Sequence, residues 1–526
     1  MGRRQHAVFT RRQFVGAAGL AGFQSAAFSW AQPARAQSPA PAPQFGYDNV
    51  LTRARELATA PFQPTAPLPR ALAALDPQVW QDIRFRSDRA FFSHGGGLFR
   101  LELFHLGGPY TLPVTVNTVR EGIATPIPYS ADLFHYGRAR FDNPLPVDLG
   151  FSGFRLRFPL NESRIFDEVI SFLGASYFRF LGRDQRYGLS ARGLAVNAGT
   201  LNEEFPFFRE FWIETPAKDA DRITIYALLD SVSATGAYRF DLAPKANTTL
   251  DVNATLFARR AGQKFGFAPL TSMFCSGEDD LRVRDDFRPE LHDSDGLSIH
   301  NGTGEWLWRP LRNPASMQLS EFLDRDIGGF GLLQRDRVFN HYEDIDHLYE
   351  LVPDYWIEPK GAWGHGRVEL VELPTQNETN NNIVASWIFN EPILPGVPRA
   401  LAYRITASLG ASSPSPNGRV ANTFQTKARA FDATDPIQPG TRRFLVDFTG
   451  GDLAYYLNDP SLVETVASAS NGAILRTYLT PNPHIKGFRA GFDVLGQSGE
   501  IADLRLFLRA GARALTETWT FPWTAA

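Results

Sequence analysis

The sequence predicts an all-β protein, and three observations carry that prediction. Aromatics make up 13% of the residues, 42 of them Phe, and aromatic side chains favour the pleated, half-buried surface of a strand. The chain also holds 44 Gly and 37 Pro, which end short strands in turns and interrupt long helices. From Phe85 onward apolar residues recur at every second position. Phe154-Arg155-Leu156-Arg157-Phe158 and Arg222-Ile223-Thr224-Ile225-Tyr226-Ala227 both alternate in this way, as strands with one buried and one wet face do. Strand follows strand with hardly a helix between, so the sheets should be antiparallel.

The chain opens on a targeting pattern. Thr10-Arg11-Arg12-Gln13-Phe14-Val15 carries a twin-arginine pair, Gly16 to Trp30 is modestly apolar, and Ala34-Arg35-Ala36 is a small-x-small cleavage site. Residues 1–36 therefore read as a twin-arginine signal peptide, and the expected location is the periplasm. The apolar run is too short and too weakly hydrophobic to span a bilayer. Residues 37–44, rich in Pro and Ala, read as a linker.

Tyr47 to Ala60 is the best helix candidate. Val50, Leu51, Ala54, Leu57 and Ala58 recur at helical spacing, Asp48 or Asn49 is the expected cap, and Pro61 stops it. A second short helix is expected over Pro77 to Ile83. Turns such as Gly107-Gly108-Pro109 then separate the strands, and no propeller-type repeat is visible. Pro392, Pro395 and Pro398 and the loop Ser412 to Gly418 mark a boundary. Beyond it Phe444 to Phe448, Phe488 to Phe492 and Leu504 to Arg509 read as strands. The expected organisation is a large β domain over 45–408 and a small immunoglobulin-like sandwich over 409–526.

Composition excludes several functions. The net charge is −3, without the basic face of a nucleic-acid binder. The single Cys275 permits no intrachain disulfide, and its apolar surroundings suit a buried structural thiol. No Gly-x-Ser-x-Gly elbow, phosphate-binding loop or His-x-x-x-His pair appears. No metal and no cofactor is expected.

The chemistry concentrates between Leu291 and Trp387. Leu291-His292-Asp293-Ser294-Asp295-Gly296-Leu297 opens the stretch, and Asn377-Glu378-Thr379-Asn380-Asn381-Asn382-Ile383-Val384 closes it. Carboxylates, amides, arginines and indoles mixed in this way suit a sugar, whose C–H face stacks on aromatics while its hydroxyls meet bidentate polar groups. The same mixture also describes a half-wet antiparallel strand. Trp306, Trp308, Trp356 and Trp363 are candidate sugar platforms, with Tyr342 and Arg335 as candidate cleft walls. In an extended segment Asp293 and Asp295 would face one side. Asp336, Glu343, Asp344 and Glu378 are the other acids, each equally able to pair with a nearby basic group.

These residues carry a family resemblance. The words Tyr187-Gly188-Leu189-Ser190-Ala191-Arg192-Gly193, Ala268-Pro269-Leu270-Thr271-Ser272-Met273-Phe274, Arg288-Pro289-Glu290-Leu291-His292-Asp293-Ser294-Asp295-Gly296 and Glu358-Pro359-Lys360-Gly361 stand in one order. They resemble the osmoregulated periplasmic glucan biosynthesis proteins G and D over almost the whole mature chain. The twin-arginine signal is closer to the D type. The resemblance implies a mutarotase-like N-terminal β-sandwich and a C-terminal immunoglobulin-like sandwich. It also implies action on β-1,2-glucan during backbone synthesis, by inverting hydrolysis or transglycosylation. By motif the general base falls on Asp293. The family's general-acid position falls on Asn381, an amide that cannot release a proton near neutral pH. Glu378 is the candidate replacement acid. The rival reading is a non-catalytic glucan-binding or scaffold protein acting with the membrane glucosyltransferase.

Overall fold

The computed structural model describes residues 44–93, 96–280, 285–410, 415–428 and 438–525. The signal-peptide reading of residues 1–36 and all but the last residue of the linker reading lie outside them. Strands dominate the described chain, in one sheet of ten strands, one of fifteen and one of four, with two small two-stranded pairs. The all-β expectation holds.

The first helix forms as Tyr47–Ala58. Its cap differs from expectation. Gly46 is the cap residue, and Asn49, in the first turn, accepts a hydrogen bond from the Gly46 amide at 2.8 Å. Val50 and Ala54, one turn apart, press on Trp212 and Phe257 of the fifteen-stranded sheet. After a single helical turn at Arg70–Ala73, the second expected helix forms over Pro77–Gln81 and is capped by Asp76, which accepts from the Gln78 amide at 2.8 Å.

The abundance of Phe is explained where the two large sheets meet. Phe172 of the ten-stranded sheet touches Phe154 and Phe178 of its own sheet at ring separations of 5.1 and 5.3 Å. It also touches Phe211 and Phe240 of the opposite sheet at 5.2 and 5.3 Å. Alternation places these rings on the inner faces, and stacked sheets need side chains of this size to fill the space between them. The alternating segments noted in the sequence fall in Gly153–Phe158 and Ile223–Asp230.

Toward the C-terminus a second apolar cluster forms around Phe444, Phe492, Trp519 and Phe521. It packs the sheet of Arg419–Thr426, Thr441–Thr449, Gly487–Leu495 and Ala473–Asn482 against Ile501–Ala510 and Thr518–Thr524. The last two strands belong to the fifteen-stranded sheet. Thr518–Thr524 pairs in parallel with Trp306–Pro310, through Leu307 with Thr518 and Trp308 with Trp519. The described residues from Gln44 onward accordingly hold together as one compact unit.

One segment of this framework positions the site. Phe265–Ser272 pairs with Ile383–Phe389 as far as Ser272 opposite Ile383. The chain then turns, and Phe274–Ser276 pairs on with Leu291–His292, Phe274 opposite His292. Residues 272–274 therefore have the Asn381 loop on one side and Asp293 on the other.

A candidate glucan site around Asp293

Both flanks are pinned to that shared segment. The Asp293 amide donates to the Met273 carbonyl at 2.9 Å. Asn382 grips the next residue through both ends of its side chain, accepting from the Phe274 amide at 2.8 Å and donating to the Phe274 carbonyl at 2.9 Å. Asn381 directly precedes this buried clamp and is itself half-buried. An inverting pair needs two carboxyls ~6.5–9.5 Å apart, and here Asp293 and the Asn381 loop flank one shared segment of chain.

Asp293 is 8% exposed. Burial pushes its carboxyl up to about 7, a rise that Glu378 reinforces and that Arg179, His292 and His347 oppose. Its Oδ1 packs where Gly188 leaves room. A Cβ at position 188 would lie 2.8 Å from that oxygen and 2.4 Å from Val352 Cγ1. Gly188→Ala is therefore expected to displace Asp293 or Val352 and to cost about 1–3 kcal/mol of stability. Glucan turnover should fall with it, as checked by thermal unfolding and product assay.

Glu378 lies on the Asn-rich loop and faces the same place. Its Oε2 accepts from Arg288 Nη1 at 2.6 Å and from the Tyr349 hydroxyl at 3.2 Å. Arg288 reaches on to Asp344 Oδ2 at 2.9 Å and Asp286 Oδ2 at 2.9 Å. Burial, reinforced by the charges of Asp293 and Glu378, holds the Tyr349 hydroxyl well above its usual range. Asp293, Tyr349, Glu378 and Arg288 thus form one connected polar wall.

Asp295 does not join it. The chain bends at Asp293 and at Asp295, on either side of Ser294, whose Oγ meets Ser272 Oγ at 2.8 Å. Asp295 Oδ2 instead accepts from the amides of Arg335 and, at 2.7 Å, Asp336. The expected same-side pair is overturned because the segment is not extended there. His292, just before Asp293, is fully buried. Its Nδ1 lies 3.0 Å from Gln334 Oε1 and its Nε2 lies 3.0 Å from Glu290 Oε2. Burial alone would lower its pKa, but Asp295 and Glu290 raise it to about 10. Glu290, His292 and Asp295 bring three ligand-type atoms within 4.8 Å of one another. A protonated imidazole has no lone pair to offer a metal.

The indole and wall candidates need correction. Trp306, Trp308, Trp356 and Trp363 expose 8%, 3%, 6% and 5%. Trp306 is sandwiched between His300 at 4.2 Å and Trp356 at 5.5 Å, and Trp363 packs against Trp387 and Tyr403. Buried to this degree and packed in the apolar clusters, these rings belong to the core rather than to an open sugar platform. Tyr342 is fully buried and accepts from Gln334 Nε2 at 2.8 Å. Arg335 lies over Trp308 at 3.5 Å and bonds Glu517 Oε2 at 3.0 Å. Neither lines the Asp293 wall. Arg179, Arg288, His347 and Tyr349, which do surround Asp293, escaped the sequence reading. Arg179, Arg288 and the neighbours His347 and Tyr349 come from three separate segments, and no spacing links the three.

The comparisons with known proteins agree with this framework. The family described as "Periplasmic glucan biosynthesis protein, MdoG" matches residues 45–523. Glucans biosynthesis protein G of Ralstonia nicotianae is 43% identical over 481 residues, covering 91% of this chain and 95% of that protein. A probable glucans biosynthesis protein D of Shewanella oneidensis is 42% identical over 488 residues, covering 91% and 89%. Glucans biosynthesis protein D of Stenotrophomonas maltophilia is 42% identical over 486 residues, covering 91% and 90%. Relatives of both names match at nearly the same identity, so identity does not sort the chain between G and D. With a match this long to the family and relatives this similar over nine-tenths of the chain, the protein belongs to the periplasmic glucan biosynthesis protein MdoG family.

Proposed function

We propose that this protein, exported to the periplasm by the twin-arginine route as a D-type member, acts on the β-1,2-linked backbone of an osmoregulated glucan. It binds the chain at the Asp293 wall and trims or transfers it by inverting chemistry while the membrane glucosyltransferase extends it. The large domain, 45–408, carries this work, with 409–526 as the smaller sandwich.

The observation that supports the reading most is Asp293 itself. It is a buried carboxyl raised to about 7, so near neutral pH it can accept a proton from an attacking water or hydroxyl. Proton delivery to the leaving oxygen is the weak step. Asn381 has no proton to give. Glu378 is engaged as an acceptor by Arg288 and Tyr349, an arrangement that suits holding a sugar hydroxyl. Binding therefore outweighs turnover in the native chain.

The test is binding of the purified mature protein to linear β-1,2-glucan, beside β-1,3- and β-1,4-glucans of equal length, with product mass analysis. The expected result is selective binding of the β-1,2 chain with slow shortening of it. Equal binding of all three linkages, or of none, would overturn the proposal.

A further inference from the structure

A second acidic cluster sits apart from the Asp293 wall. Glu278, Asp279, Asp295 and Asp336 line a cavity of about 20 Å³, closed on one side by Arg335 and Trp308. That is room for one water molecule or one ion. Asp295 and Asp336 already have partners. Asp295 accepts two amides, and Asp336 accepts from the Val338 amide at 3.0 Å and meets His341. Among the described residues Glu278 Oε1 accepts a single long bond, 3.3 Å, from the Thr423 amide. Asp279 is 4% exposed, and its Oδ2 is buried with no hydrogen-bond partner.

Among the described residues lining the cavity the charge is not balanced, and Arg335 is the one basic side chain there. Its guanidinium is committed to Glu517 and to the Val420 carbonyl at 3.1 Å, leaving only Nε free. One N–H cannot satisfy an unpartnered carboxylate and neutralise its neighbours. Burial and the mutual repulsion of Glu278 with Asp279, and of Asp279 with Asp280, push both carboxyls well up, although Arg312 and Arg309 pull Asp279 back. A buried surplus of negative charge must be met by protons or by a cation.

We propose that this cavity binds one hard divalent cation, of the Ca²⁺ or Mg²⁺ class, through the carboxylates of Glu278 and Asp279, with Asp295 and Asp336 setting the surrounding field. All-oxygen donors select hard cations, and the cavity admits a single ion. The site also has a structural consequence. Thr423 and Gln425 of the strand Arg419–Thr426 bond to Glu278 and, at 2.8 Å, to the Asp279 carbonyl. An ion held here would fasten that strand to the turn after Phe274–Ser276. This inference does not depend on the glucan reading.

The experiment uses the full mature chain, stripped with a chelator and titrated with Ca²⁺ and separately with Mg²⁺ by calorimetry and thermal unfolding. Tb³⁺ serves as a luminescent probe excited through Trp308 in the cavity wall. One site per chain is expected, with a higher unfolding temperature and Tb³⁺ emission that Ca²⁺ displaces. Asp279→Asn should weaken binding about ten-fold or more. Should that variant fail to fold, Glu278→Gln replaces it with the same expectation. No binding of either ion at millimolar concentration would mean that protons and a water fill the cavity, and would overturn the proposal. Binding unchanged in a folded variant would place the ion on surface acids and overturn it equally.

Discussion

Asn381→Asp is expected to raise β-1,2-glucan cleavage by about 10²–10⁴-fold over the native protein, the usual contribution of a positioned general acid. The substitution changes no volume and adds a titratable oxygen where the Asn382 clamp holds the backbone still. It places that acid across residues 272–274 from Asp293. Two carboxyls facing each other also raise the pKa of one of them, which keeps a proton available near neutrality. Product mass analysis of the single variant and of Asn381→Asp with Asp293→Asn checks it. The single variant should cut and the double variant should not. A folded Asn381→Asp protein that binds glucan and cuts no faster than the native one would mean that position 381 does not reach the leaving oxygen. Glu378→Gln provides the contrast. It should weaken binding by freeing Arg288 and Tyr349 and leave the gain from Asn381→Asp largely intact.

The sequence was most legible where one local rule decided the outcome. Period-two alternation at Phe154–Phe158 and at Ile223–Ala227 needed only a strand with an inner face, and helical spacing from Tyr47 needed only an amphipathic turn. The cap of that helix was misjudged because Asn49 acts from the first turn back onto Gly46. The tryptophans were misjudged for a different reason, since an indole suits a core and a sugar cleft equally well. A signal was nevertheless present in the glycines. A Cβ at Gly296 would lie 2.3 Å from Trp308, one at Gly329 2.5 Å from Trp356, and one at Gly366 2.4 Å from Trp387. Glycine inside a strand often marks a place where something must approach closely, and here it is a neighbouring indole lying flat on the sheet. Asp293 was legible only as a word in a longer motif. Arg288 and Tyr349 were not, because their role is set by the meeting of segments distant in sequence.

Asp293→Asn should abolish glucan turnover while stabilising the fold above neutral pH, two effects with one cause. In the native protein burial raises the Asp293 carboxyl from 3.8 to about 7, so the folded state holds its proton more tightly than the unfolded chain does. A raised carboxyl contributes its full stability below about pH 4. That contribution is lost as pH rises toward 7, where the folded state must carry a buried charge that the unfolded chain leaves in water. At about 1.4 kcal/mol per pH unit the loss is at most on the order of 4 kcal/mol. The amide of Asn carries no such charge, so its advantage over Asp should be negligible near pH 4, grow between about 4 and 7, and level off above. Thermal unfolding of both proteins at pH 4, 6 and 8 measures it directly. Activity should follow the opposite course, since only the ionised carboxylate takes a proton. Turnover by Asn381→Asp should rise with pH through about 7 on the acidic limb of its profile, where Asp293 ionises. A variant no more stable than the native protein at pH 8 would show that Asp293 is not buried with its charge, and the case for it as the proton acceptor would fall with that result.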